Sequence, residues 1–238
     1  MSNVSYVSLS RQAALARELA SIANNVANAD TDGFRRDGYI FSEYVIELRG
    51  EPSLSQTRIG ARMIDAAQGK AIETGGALDA AIEGPGYFAV ETPRGVRLTR
   101  AGSFQLNDQG VLSTADGWSV SGEGGAAIVL PGGTGRIVIS SDGVVSADGV
   151  QVAKLEIVDA DPAELVREGA NLFRVTGEVA PVQNPSVRQG YVEASNVNPV
   201  LEISRMIEVQ RAFEIGERML EDDAERTRRA VETLSGGR

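Results

Sequence analysis

The sequence predicts an α+β fold in which two amphipathic helices, one at each end of the chain, flank an inserted antiparallel β domain. Three observations predict it. Apolar residues recur at helical spacing near both ends, apolar-polar alternation takes over between them, and turn residues, above all 27 glycines in 238 residues, punctuate the middle. Aromatic residues make up 5% of the chain against 42% apolar residues in all, so the core has to rest on Val, Ile, Leu and Ala.

The N-terminal helix is read from about Ser5 to Asn28, where Leu15, Leu19, Ile22 and Val26 step by four, three and four. Beside them runs a second line, Leu9, Ala13, Ala16, Ala20, Ala23 and Ala27. Small side chains next to branched ones let another helix approach closely, although an ordinary core-facing helix shows the same periodicity. The run from Asn24 to Gly33 is crowded with Asn, Asp and Gly, which tolerate left-handed backbone and bond their own main chain, so the helix is expected to stop near Asn28.

Residues 34 to 76 carry early aromatics, Phe34, Tyr39, Phe41 and Tyr44, and then a stretch that reads as extended or looped. It is expected to be a connector with little core of its own. From about Leu78 to Asn171 the pattern becomes a series of short β-runs separated by turn dipeptides. Two pieces resemble each other, Asp108 to Val120 and Ser141 to Val152, each placing Asp-Gly between apolar-polar alternations, the commonest short hairpin signal. Trp118 is the expected core anchor of this region. A short turn or helix follows at Asp161 to Leu165, then a strand around Leu172 to Val175.

The C-terminal helix is expected to open with Asn198 as N-cap and Pro199 at the first helical position, where a missing N–H costs nothing. Its apolar line runs Met206, Val209, Phe213, Gly216, Leu220, Ala224, Thr227, Val231 and Leu234, and Ser235-Gly236-Gly237 ends it. Such a helix has about 35 residues and a length of roughly 50 Å, several times that of an average helix in a globular domain, and it needs a partner along that length. The organisation expected is therefore a helix in 1–33, a connector in 34–76, a β-rich domain in 77–176, a return connector in 177–197 and a helix in 198–238.

The residue types limit the chemistry. With neither His nor Cys in the chain, Ser-His-Asp and Cys-His catalysis, His- or thiolate-held metals, disulfides and thiol redox motifs are excluded. A formal charge of −10, with Lys70 and Lys154 the only lysines and arginines scattered among acids, argues against nucleic acid as a partner. The start of the chain lacks the charged and apolar regions of a secretory signal, and no 18-residue apolar stretch suggests a membrane span.

Two motifs fail on inspection. Asn28 to Gly33 fits the opening of a calcium loop, but its twelfth position is Tyr39 where a bidentate acid is needed. Gly84-Pro85-Gly86-Tyr87-Phe88-Ala89 imitates a dinucleotide loop, yet a strand follows it and not a helix. A carboxylate-pair hydrolase stays open on residue types alone. No catalytic residue, cofactor, metal or small-molecule substrate is assigned.

Three segments are similar to one known family. Ala23-Asn24-Asn25-Val26-Ala27-Asn28 with Thr31-Asp32-Gly33-Phe34-Arg35 resembles the N-terminal signature of the bacterial flagellar rod and hook proteins. Ile82 to Val90, Leu98 to Phe104 and Gly110 to Leu112 resemble that family's β domain, and Gln189 to Val200 with Met206 to Glu214 its C-terminal helix. The chain is too short for the hook protein and is most similar to the proximal-rod branch, the distal-rod branch being the alternative. Asp30 and Asp32 are more acidic than that signature leads one to expect.

The resemblance implies a structural protein and not an enzyme, whose end helices form a coiled-coil-like inner domain of the rod while the β domain packs outward. It implies assembly contacts at Leu15, Leu19, Ile22, Asn25, Val26, Gly33, Phe34, Asn196, Met206, Phe213 and Leu220. Partners would be other rod subunits, copies of the chain itself and the flagellar export apparatus, in a basal body spanning the periplasm. Isolated helices of this kind are marginal in water, so their order is expected to depend on neighbours. A surface carbohydrate-binding or adhesin-like β module is the reading from a different class.

Overall fold

The computed structural model describes residues 3–46, 54–169 and 171–235. Among the described residues are two long helices, α1 (Asn3–Ala27) and α2 (Pro199–Ser235), and eighteen strands between them. In chain order these are β1 (Asp37–Ile46), β2 (Leu54–Ile64), β3 (Ala71–Glu73), β4 (Ala80–Glu83), β5 (Tyr87–Thr92), β6 (Gly95–Thr99), β7 (Phe104–Leu106), β8 (Leu112–Thr114) and β9 (Ser119–Val120). They continue as β10 (Ile137–Ile139), β11 (Val144–Ala147), β12 (Val150–Lys154), β13 (Ile157–Asp159), β14 (Leu165–Glu168), β15 (Leu172–Val175), β16 (Ala180–Pro181), β17 (Ser186–Gln189) and β18 (Tyr191–Glu193). The class is α+β, as the periodicities imply, and every pairing that is defined residue by residue is antiparallel.

The chain divides into two compact units and passes from one to the other four times. The first comprises residues 1–27, 37–63 and 198–238. In it α1 and α2 pack side by side and run antiparallel, since residues 12, 18 and 25 of α1 meet residues 213, 205 and 202 of α2. Asn198 caps α2 as expected, accepting from the amides of Val200 and Leu201 at 3.1 and 3.2 Å. The unit also contains the two-stranded sheet of β1 and β2. The side chains of Phe41 and Tyr44, and the whole of Gly236 and Gly237, lie outside the described residues.

The second unit comprises residues 28–36 and 64–197. Its largest sheet runs β14-β15-β6-β5-β9-β8-β7, with β13 sharing one edge of β5 with β9. Because β5 is central it buries both faces. Phe88 and Val90 enter one core with Phe104, Leu112, Val120, Ile128 and Val145, while Tyr87 and Ala89 enter a second with Leu98, Val158, Leu165 and Phe173. Trp118 packs half-buried at the margin of the first core.

The two look-alike segments use different turns. Asp148 and Gly149 both have positive φ, 49° and 85°, the type I′ geometry that joins β11 directly to β12. In the other, Gly117 is left-handed but Asp116 is not, and the amide of Gly117 bonds Thr114 O, a longer turn leading to β9. Asp161 caps a short 3₁₀ turn at Pro162–Glu164, where a turn or helix was expected. Residues 34–76, read as a connector, contain β1, β2 and β3.

Candidate assembly interface

In the first unit the helices are joined by a buried polar knot at the start of β1. Asn25 is 1% exposed, and its amide engages the main chain of Asp37 from both sides: its Oδ1 accepts from Asp37 N at 3.0 Å and its Nδ2 donates to Asp37 O at 2.8 Å. The same Nδ2 reaches Glu202 Oε2 on α2 at 3.0 Å. Ser21, one turn earlier on α1, donates to Asp37 Oδ1 at 2.7 Å, and Arg62 of β2 pairs with the other carboxylate oxygen. Asn25, Asp37 and Glu202 are thus removed from water with their hydrogen bonds made inside one chain, which is the condition for burying such groups at tolerable cost.

Farther along the pair, Gln12 Nε2 donates to Phe213 O at 2.8 Å and Arg205 bridges Glu18 at 2.7 Å. Gly216 permits the first of these. A Cβ there would stand 2.5 Å from Gln12 Nε2.

In the second unit the corresponding centre is Glu193, at the end of β18. Its carboxylate accepts from Arg35 at 2.8 Å, from Arg100 at 3.1 Å and from the Gly69 amide at 3.0 Å, and all three charged side chains are at most 5% exposed. Arg100 also donates to Gly84 O at 2.6 Å, and Arg35 to Ala67 O. Burial pulls the Arg100 guanidinium below its ordinary pKa, against the pull of Glu193. Burial likewise raises the Tyr87 phenol, opposed by Arg35 and Arg100.

The neighbouring residues lock the same point. Gly33 has φ +68° and a Cβ would lie 2.1 Å from Ala101 N, so only glycine fits, and its amide bonds Glu193 O at 2.6 Å. Phe34 is fully buried under the guanidinium of Arg167, 4.3 Å from the ring centroid, and Arg167 lies 5.0 Å from Phe173 as well. Asn196 accepts from Arg36 N at 2.6 Å and donates to Ala67 O at 2.8 Å and Asp65 O at 3.2 Å. The signature segment 28–36 and the return segment at 193–196 are therefore one structure within a single chain.

The eleven expected contact residues separate into two groups. Asn25, Gly33, Phe34 and Asn196 serve these two centres. Of the stripe residues, Ile22 is buried, while Leu15, Leu19, Val26, Met206, Phe213 and Leu220 are half-buried. The ionic partners Asp37, Arg62, Glu193, Arg100, Arg167 and Glu202 were not found from sequence, although a polar pair four apart, Ser21 and Asn25, on a helix face that also carries Ile22 was the available signal. A second apolar surface was missed too. On α2, Val200, Leu201, Ile203, Ile207, Ile215 and Met219 are 47 to 71% exposed, and every residue from Ala224 to Leu234 is exposed.

Comparison with known proteins matches three parts of the chain to family descriptions. Residues 6–35 match "Flagella basal body rod protein", 81–147 "Flagellar hook protein FlgE/F/G D1 domain" and 188–233 "Flagellar basal body rod FlgEFG protein C-terminal". The flagellar basal-body rod protein FlgF of Caulobacter vibrioides is 38% identical over 98% of both chains, and that of Mesorhizobium japonicum 39% over 96% of both. FlgG of Bacillus subtilis is 30% identical over 85% of this chain and 88% of its own. With both buried centres drawing on the matched end segments and relatives alike over nearly the full length, this chain belongs to the flagellar basal-body rod protein family, with greater similarity to its FlgF members than to its FlgG members.

Proposed function

We propose that this chain is a structural subunit of the proximal rod, passed through the flagellar export apparatus and built axially into the shaft by its terminal helices. The observation that carries this reading is α2: 37 residues, roughly 55 Å long, with one face against α1 and a second apolar face left open. Val200, Ile203, Ile207, Ile215 and Met219 point away from the buried line of Met206, Val209, Phe213 and Leu220. A helix apolar on two sides is stable in water only when a second neighbour covers the other side.

On this reading the arms 1–33 and 198–238 form a coiled-coil-like inner layer with the arms of neighbouring rod subunits, including copies of this chain. The stretches 34–76 and 177–197 lead to the β-rich 77–176, which packs outward. Leu15, Leu19, Met206, Phe213 and Leu220 contact both the chain's own partner helix and adjacent subunits. The role is mechanical and uses no catalytic residue or cofactor.

The test is the double substitution Ile203→Glu with Ile207→Glu, which places two charges on the open face and leaves the α1 side alone. Purified protein should keep its helix content by circular dichroism, while cells carrying it should lose basal-body rods and swimming. Normal motility with this variant as the only copy would refute assembly through that face.

A further inference from the structure

The first core covers the sheet face that carries Phe88 and Val90, and Trp118 and Leu172 lie half-buried at its margin. There the sheet surface forms a cleft of about 440 Å³ lined by Thr92, Arg94, Arg97, Trp118, Glu168 and Leu172. Arg97 and Arg174 lie on the same face, since Phe173 opposes Leu98 and each arginine is the adjacent residue, pointing to the other side of its strand.

Charge is out of balance in this cleft. Glu168 takes Arg97 at 2.9 Å and Arg174 at 3.1 Å, with Arg94 at 3.6 Å, so one carboxylate faces three guanidiniums. Those hydrogen bonds, Arg97's first, hold the Glu168 carboxyl below its usual pKa, and it stays ionised. The excess is still two positive charges on a molecule whose net charge is −10. Arg97 is fixed, 8% exposed and bonded to the carbonyls of Arg94 and Val96, whereas Arg94 is 80% exposed and Arg174 44%. Two exposed forks thus stand beside a concavity lined by the half-buried indole of Trp118 and by Leu172.

We propose that this cleft is a docking site for an acidic segment of another polypeptide. Arginine forks pair with carboxylates two bonds at a time, and an indole beside them accepts the aliphatic stems of Glu side chains. The site is separate from the open face of α2 and does not depend on how the helices assemble. It gives a chain of strong negative charge a place at which an equally acidic neighbour is attracted and not repelled.

Trp118 is the only tryptophan in the chain, so its emission reports on this cleft alone. The experiment titrates the full chain with a capped hexaglutamate peptide at low salt, with a hexalysine peptide and inorganic phosphate in parallel. Expected is a saturable change in Trp118 emission with hexaglutamate only, weakened about tenfold in Arg94→Ser/Arg174→Ser, weakened less in Arg94→Lys/Arg174→Lys, which keeps the charge and loses the fork, and strengthened in Glu168→Gln. No change with hexaglutamate, or an equal change in Arg94→Ser/Arg174→Ser, overturns the proposal. An equal response to phosphate also overturns it, in favour of a small-anion site.

Discussion

Asn25 does the work of a strand partner. Its amide satisfies both main-chain groups of Asp37 at the point where β1 begins and has a donor left for Glu202. Removing it takes one hydrogen bond from each of three buried groups, the Asp37 amide, the Asp37 carbonyl that Ser21 also reaches at 3.3 Å and the Glu202 carboxylate, each bond worth about 1 kcal/mol or more. Asn25→Ala should therefore destabilise the first unit by about 3 kcal/mol or more in urea unfolding followed at the helices. Asn25→Asp keeps the shape but puts a third carboxylate beside Asp37 and Glu202, and should be no better than alanine at neutral pH. If the alanine variant loses less than 1 kcal/mol, the knot is a bystander to helix packing. Asp32 offers a converse case. Burial first, and Asp79 second, raise its carboxyl above the usual range, so its charged form is disfavoured in the folded chain. An acid whose folded pKa is raised imposes its cost once pH exceeds the unfolded value, and imposes none below it. Asp32→Asn should accordingly raise the thermal midpoint at pH 7 and leave it unchanged near pH 3, a pH series that a purely conformational effect would not produce.

At the scale of elements, the turn between β11 and β12 needs positive φ twice in succession. Glycine adopts it freely and Asp at moderate cost, so Gly149→Ala should cost about 1 kcal/mol while Asp148→Asn stays near neutral, because Asn tolerates the same conformation. Equal destabilisation by both would mean that the Asp148 carboxylate bonds to the Gly135 and Arg136 amides matter more than the backbone. This element also shows what could be read in advance. Asp-Gly between alternating residues gave the hairpin at 148–149, and stepping of three and four gave both helices within a few residues, since local periodicity and turn chemistry are written in adjacent positions. The ladder order was not legible. β5 has one face in each core, and nothing in Tyr87 to Thr92 says that β13 and β9 share its edge. The buried centres were legible only as a signature: Arg35 and Glu193 are separated by more than 150 residues, and an ion pair between such positions leaves no periodic trace.

For the whole molecule, the placement of residues 28–36 decides which cuts the chain tolerates. They follow directly on α1 but belong to the second unit, where Gly33 bonds Glu193 O, Phe34 lies under Arg167 and Arg35 neutralises Glu193. A truncation at Asn28 removes a helix whose packing lies in the other unit. A truncation at Asp37 removes in addition the guanidinium that pairs with Glu193 Oε1 and the ring that lies under Arg167, and leaves the carboxylate to Arg100 and the Gly69 amide. Taking one member from a buried charged cluster costs about 3–5 kcal/mol, and lost burial of Phe34 adds about 2 kcal/mol more. The fragment 28–197 should therefore melt close to the second unit's transition in the full chain, while 37–197 should melt far lower or fail to fold at all. Arg35→Met in the longer fragment separates the two contributions, since it keeps Phe34 and deletes the charge. Calorimetry that finds 28–197 and 37–197 melting together would show that the segment is tethered to the β-rich unit without stabilising it, and the Arg35–Glu193 pair would then lose its place as the anchor of both ends.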